Sequence, residues 1–305
     1  TRVRSSAASD VYKRQVHNGF GKTCGLVQVQ ELGTLETPIA LTNTLNVGKV
    51  WDAMVDIVVE QCEQDGLEPM SINPVVGECN DSRINQIQKR VVGADEVRQA
   101  FASASEEFEE GDVGAGAGTI CYGLKGGIGS ASRVIRIGEK EYTIGVLVQS
   151  NFGATEDFVL NGESVGAKIL DWKQEKDDMA ASEEDKGSIM SILATDLPLT
   201  SRQLRRILRR TGVGIARTGG YTGHGSGEVM IGFTTANRIP SGAEEELLQI
   251  QAIPEHVINR AFLAAAEAEQ EAILNSMTAA ERTRGQAGEL YYSLSEYLED
   301  QDSKQ

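Results

Sequence analysis

Residues 171–195 read DWKQEKDDMAASEEDKGSIMSILAT. Ten of the first seventeen, 171–187, are charged, seven acidic and three basic, which marks an exposed linker with no face to bury. The next eight, Ser188 to Thr195, form a short apolar run of the kind that makes a strand buried on both faces. No turn cluster separates the two, and Gly187 has no side chain to shield its carbonyl. Such a junction is where a chain can cut itself. Ser188 Oγ attacks the Gly187 carbonyl, the peptide becomes an ester, and water releases a new N-terminal serine. Its α-amine ordinarily titrates at about 7.7–8.0, low enough to act as base for its own hydroxyl. A Gly-Ser step before a strand is also an ordinary loop end, and on spacing alone both readings stand.

The rest of the composition suits chemistry that needs no histidine. The 305 residues contain three histidines, and the four cysteines form no CxxC pair, so neither a metal centre, a redox dithiol nor a cofactor is expected. With 29 basic against 45 acidic residues the net charge is −16, which repels phosphate backbones and anionic lipid, so nucleic acid and membrane are excluded as first partners. No 18-residue apolar window appears. Residues 1–15 (TRVRSSAASDVYKRQ) show neither apolar periodicity nor a secretory core. They read as a leader foreign to the natural protein and are set outside the fold. With no export signal visible, the expectation is a cytoplasmic protein, a periplasmic one being left open.

Working outward, Cys24–Glu31 and Pro38–Thr42 read as strands, Val47–Gln64 as an amphipathic helix, and Asp95–Glu109 as a helix. Arg133–Ile137 and Tyr142–Gln149 make a hairpin, Leu199–Arg210 a basic helix, Glu228–Thr235 a strand, and a long Ala-rich helix runs from Pro254 to about Ala280. The glycines at 114–118 and 126–129 read as loops and close packing, not phosphate cradles. The arginines at 202, 205, 206, 209 and 210 suggest a solvated face with intersubunit salt bridges.

Two further segments offer groups for an N-terminal serine. In Gly225-Ser226-Gly227-Glu228 the Ser and Glu stand two residues apart, hence on one face of an extended chain, where they can orient an amine; a Gly-rich turn with a solvated acid is the plain alternative. Asn151 ends an apolar strand, where its amide can donate to an oxyanion or simply form a turn.

The segments His17–Lys22 (HNGFGK), Glu31–Pro38 with Leu41–Thr44, Pro74–Glu78 (PVVGE), Cys121–Gly129 (CYGLKGGIG) with Ser130–Arg133, Gln149–Asn151, Gly187–Ile189 and Ala194–Pro198 together resemble the DmpA family of L-aminopeptidase/D-esterases and β-peptidyl aminopeptidases, self-processing serine hydrolases. The resemblance implies an α+β fold, a four-layer αββα sandwich shared with ornithine acetyltransferases, and homotetramers of cleaved protomers. It implies one hydrolase domain over 16–305, cut into an α subunit (16–187, with linker 171–187) and a β subunit (188–305). Gly187 and Ser188 are then the self-cleavage site, Ser188 the nucleophile, Ser226 and Glu228 the pair orienting its amine, and Asn151 the oxyanion donor. Glu78 receives the substrate's amino group. Asn80 stands where some members have Tyr and bears on substrate preference. Family members also carry an upstream segment with early strands, which residues 1–15 replace. The implied substrates are short peptides, amides or esters with a free amino terminus. The alternatives are an unprocessed small-molecule-binding protein and an N-acyltransferase of the ornithine acetyltransferase kind, against which the serine nucleophile argues.

Overall fold

The computed structural model describes residues 8–176, 187–240 and 247–304. The first part contains β1 (Ala8–Gly19), α1 (Leu26–Leu32), β2 (Thr34–Leu35), β3 (Ile39–Asn43), α2 (Val47–Gln64), β4 (Val75–Cys79), α3 (Ala94–Ser103), β5 (Ile120–Cys121), β6 (Leu124–Lys125), β7 (Ile128–Ile137), β8 (Lys140–Asn151), β9 (Val159–Leu160), β10 (Glu163–Ser164) and α4 (Gly166–Glu175). The second contains β11 (Ser188–Thr195), α5 (Ser201–Leu208), α6 (Thr211–Arg217), β12 (Gly227–Pro240), α7 (Asn259–Thr278), β13 (Thr283–Arg284), β14 (Leu290–Tyr291) and α8 (Leu294–Ser303).

Side-chain alternation along β11 organises the layers. This strand lies inside a six-stranded sheet of order β2-β1-β12-β11-β8-β7, parallel to β12 and antiparallel to β8. Ile189 and Leu193 project to one face, where they pack with Ile144, Val146 and Val148 of β8 and the alanines of α7. Met190 projects to the other, with Val229, Ile231 and Phe233 of β12 and Val75 of β4. Beyond that lies the small parallel sheet β3-β4, whose Val76 faces Val50 and Met54 of α2. Three apolar interfaces thus separate helix, sheet, sheet and helix layers, the αββα sandwich. Because its two inner layers are sheets, β11 is covered on both faces, which is why Ile189, Met190 and Leu193 are all buried.

An acid of α7 is buried in this core. Glu269 of α7 is fully buried and accepts a 2.5 Å hydrogen bond from Ser191 Oγ on β11. Burial pushes its carboxyl from an ordinary value of 4.5 up to about 8. Between those values the unfolded chain releases the proton and the folded one keeps it, so this contribution to stability is full below about 4.5 and is lost as pH rises through about 8. Glu269→Gln is therefore expected to raise stability relative to the parent by more at pH 9 than at pH 4.5, the difference being on the order of 3–5 kcal/mol. Urea midpoints at both pH values check this, and an equal shift at each would remove the titration argument.

Several local expectations change. Residues 8–15, set outside the fold by the sequence reading, form most of β1, which pairs with β12 from Ala8↔Pro240 to Gly19↔Gly227. A fourteen-residue strand such as β12 needs a backbone partner along its edge, and a main-chain ladder leaves little trace in side-chain pattern. Cys24–Glu31 is not a strand: only Cys24 bridges to Val76, and α1 follows, burying Leu26 and Val29 at helical spacing. Residues 171–175 belong to α4, with Trp172 and Lys173 buried, so the linker expected over 171–187 begins later. Its segment 177–186 lies outside the described residues. The helix expected over 95–109 ends at Ser103. The basic segment splits into α5 and α6; within the chain, Arg202 and Arg206 pair with Glu255, and Arg210 lies 3.9 Å from the centroid of the Phe262 ring. A short 3₁₀ turn (Glu255–Val257) intervenes between Pro254 and α7. The glycines at 126–129 pack backbone to backbone, since a Cβ on Gly129 would stand 2.1 Å from the Ala272 carbonyl oxygen.

Candidate active site

Three strand ends meet at Ser188. It pairs with Asn151, the last residue of β8, and with Gly227, the first of β12. Gly187 enters through a gap that only glycine fits, because a Cβ there would stand 1.9 Å from the Asn151 carbonyl oxygen. The Gly227 N–H donates to the Gly187 carbonyl at 2.9 Å, holding and polarising the carbonyl of the Gly187–Ser188 bond. Ser188 is 5% exposed and shares the inter-sheet side of β11 with Met190. Glu228 shares the helix-facing side with Met230. The meeting point of Ser188 with the Ser226–Glu228 segment is therefore its main chain, where a freed α-amine would lie, and not its hydroxyl. Both Ser226 and Glu228 are buried. The Ser226 hydroxyl has no hydrogen-bond partner among the described residues, and an orphaned buried hydroxyl of this kind is a costly feature unless something occupies it.

Asn151 is buried and its amide is clamped at both ends. The Ile120 N–H donates to Oδ1 at 2.9 Å, and Nδ2 donates to the Asn80 carbonyl at 3.1 Å. One Nδ2 hydrogen is thereby left over, since an amide nitrogen carries two. Asn80 itself is exposed, and its side chain closes a local turn by accepting the Ser82 N–H at 2.9 Å. Its carbonyl meets the site; its side chain does not touch Asn151. Behind Ser188, the Cys79 thiol lies 3.5 Å from the carbonyls of both Ser188 and Gln149. Burial keeps that thiol protonated well above the usual thiol range, so it acts as filler and weak donor, not as a nucleophile.

Glu78 is 4% exposed. Its carboxylate accepts the Lys22 N–H at 2.8 Å and the Thr44 hydroxyl, and no cation pairs with it among the described residues. These two donors orient the charge without cancelling it. The segment carrying Lys22 also packs against the start of β12: the Phe20 carbonyl oxygen would stand 2.4 Å from a Cβ on Gly227, and Asn18 Nδ2 donates to the carbonyls of Gly223 and His224 in the turn before Ser226. His17–Lys22 therefore runs from the Ser226 turn to Glu78.

The chain matches the model of peptidase family S58 over residues 6–291. It is a member of that family. An S58 relative, the beta-peptidyl aminopeptidase BapA of Sphingosinicella xenopeptidilytica, is 37% identical over 280 residues, covering 89% of this chain and 69% of the relative. Among solved structures, the PH0078 protein of Pyrococcus horikoshii OT3 is 44% identical with a TM-score of 0.88, covering 97% of this chain and 81% of that one. The L-aminopeptidase D-Ala-esterase/amidase of Ochrobactrum anthropi, described as a variant of the Ntn hydrolase fold, is 32% identical with a TM-score of 0.88 and the same coverage. This S58 chain is accordingly a hydrolase and an aminopeptidase of the N-terminal-nucleophile type, and its αββα sandwich is theirs. A non-catalytic binding protein and an acyltransferase are not favoured.

The groups that sequence reasoning missed are main-chain ones: the Ile120 N–H, the Asn80 carbonyl and the Lys22 N–H. Backbone donors carry no residue-type signal. Thr44 and Asn18 lay inside recognised motifs but had no role until the fold brought them to Glu78 and to the Ser226 turn.

Proposed function

We propose that the chain cuts itself between Gly187 and Ser188 and that Ser188 then acts as the N-terminal nucleophile on short peptides, amides or esters with a free amino terminus, β-aminoacyl substrates included. The observation carrying this is the register that sets Asn151, Ser188 and Gly227 side by side at three strand ends. In self-cleavage Ser188 Oγ adds to the Gly187 carbonyl carbon, the C–N bond breaks, and the amide becomes an ester with a free α-amine. Water then hydrolyses the ester, leaving a Gly187 carboxylate and an N-terminal serine. Each turnover repeats the addition on a substrate carbonyl. The α-amine takes the hydroxyl proton and passes it to the departing amine, and water frees the acyl group. Ser226 Oγ and Glu228 orient that amine, the free Nδ2 hydrogen of Asn151 meets the oxyanion, and Glu78 holds the substrate ammonium.

Cleavage divides the molecule into 16–187, with its preceding strand residues, and 188–305, and the pieces stay together because β12 and β11 of the second piece lie between β1 and β8 of the first in one sheet. We propose further that cleaved protomers associate into a homo-oligomer, for which the exposed Val27 and Leu32 on α1 and the 95% exposed Met70 supply apolar contact surface. Hydrolysis of β-alanyl and L-α-aminoacyl p-nitroanilides by the full chain tests the activity. Release of p-nitroaniline from the β-alanyl compound is expected; no turnover of any free-amine p-nitroanilide by cleaved protein sinks the proposal.

A further inference from the structure

The motif Cys121–Gly129 was recognisable in sequence, yet none of its residues enters the chemistry above. At its centre stands Lys125, a lysine with no exposed surface. Its ammonium donates to the Gly116 carbonyl at 2.9 Å and to the Gly126 carbonyl at 2.8 Å. No carboxylate pairs with it among the described residues. A cation buried without a counter-ion is expensive, and its position in the fold suggests what it maintains.

Lys125 lies directly across the β5-β6 hairpin from Ile120, whose N–H holds Asn151 Oδ1. The same hairpin grips all three residues around the oxyanion amide. The Ser150 N–H donates to the Gly127 carbonyl at 3.0 Å, and the Tyr122 N–H donates to the Phe152 carbonyl at 2.8 Å. Gly126 presses on Ser150 so closely that a Cβ would stand 2.4 Å from its carbonyl oxygen. By binding the carbonyls at 116 and 126, the ammonium ties the start of this loop to its end, behind the residues that clamp Asn151.

We propose that Lys125 is the positioning residue of the oxyanion amide: its buried charge locks residues 116–127 against Ser150–Phe152, so that Asn151 presents its unused Nδ2 hydrogen to the reacting carbonyl oxygen. This rests on Asn151 being the oxyanion donor. Charge matters to the lock, because charge-assisted hydrogen bonds are roughly twice as strong as neutral ones. Burial lowers this ammonium from its ordinary value of 10.5 to about 8, with the Asp112 carboxylate acting against the fall. The other charged groups facing the hairpin are Lys173, whose Nζ donates to the Gly123 carbonyl, and Arg282, over the ring of Tyr292, the residue whose carbonyl receives the Lys125 N–H. The lock is therefore intact below about pH 8 and weakens above it, giving kcat an alkaline fall distinct from the acid limb set by the Ser188 amine.

The test compares kcat and KM of cleaved parent, Lys125→Met, Asn151→Ala and Glu269→Gln at saturating substrate from pH 6 to 10. Expected for Lys125→Met is a kcat lower by about tenfold to a hundredfold, a KM within about threefold of the parent, and no alkaline fall near pH 8. Glu269→Gln, which removes a second buried side chain titrating near 8, is expected to keep that fall. A Lys125→Met protein with kcat within threefold of the parent, or with the fall intact, overturns the proposal. If Lys125→Met does not fold, a parent kcat that stays flat from pH 7 to 10 overturns it, and one that falls near 8 in parent and Glu269→Gln alike supports it. Asn151→Ala separates the two levels. An unchanged kcat there removes the oxyanion reading itself, whereas a loss there with none in Lys125→Met confines the failure to Lys125.

Discussion

Ser188→Ala is expected to purify as one uncut chain without aminopeptidase activity, where the parent separates under denaturing conditions into a piece ending at Gly187 and a piece beginning at Ser188. Both losses have one cause, removal of the attacking oxygen. In serine hydrolases that removal lowers kcat on the order of 10⁶-fold. The fold itself should tolerate the change, because alanine fits the 5% exposed position and the strand pairings of Ser188 are main-chain. Intact mass spectrometry together with p-nitroanilide turnover reads the result. A mutant still cut at the same bond means that another group breaks it and that the serine is not the agent of maturation.

The legibility of this molecule follows from what each feature leaves in side-chain pattern. Ser188–Thr195 and Val47–Gln64 have the bounds their apolar spacing predicts, because both bury faces defined by hydrophobic residues. The register that brings Asn151 and Gly227 to Ser188 is not written in any one segment. It depends on pairings between residues 37 to 39 positions apart, and order along the chain does not specify which strands are neighbours. Residues 8–15 were missed for the same reason in stronger form, since the ladder that joins them to β12 is main-chain pairing. α1 was misread because Val27 and Val29 alternate while the buried pair is Leu26 and Val29, and a seven-residue element cannot arbitrate between periods of two and 3.6. The candidate side chains came from the motifs that resemble the family's. Their clamps, the amides and carbonyls of Ile120, Asn80 and Lys22, required coordinates.

Replacing Glu78 by Gln is expected to raise KM for free-amine substrates sharply while leaving N-acetylated ones as poor as before. The argument begins with burial. A carboxylate that is 4% exposed has lost most of its hydration, and it is charged in the folded state only if other groups replace that hydration. Lys22 N–H and the Thr44 hydroxyl do so in part, but both are neutral, and no cation pairs with Glu78 among the described residues. A substrate ammonium completes it. Pairing there is charge-assisted and shielded from water, so breaking it by removing one charge costs about 2–5 kcal/mol, roughly 30-fold to several thousandfold in kcat/KM. Glutamine keeps the shape, its amide oxygen accepting from the Lys22 N–H and its amide nitrogen donating to the Thr44 hydroxyl, so its effect isolates the charge from the packing. Acetylating the substrate removes the same charge from the other side. The two changes together should therefore cost little more than either alone, the signature of a coupled pair in a double-mutant cycle. If the parent turns over acetylated and free-amine forms equally, Glu78 selects nothing; if Glu78→Gln retains the parent's preference, the ammonium is held elsewhere.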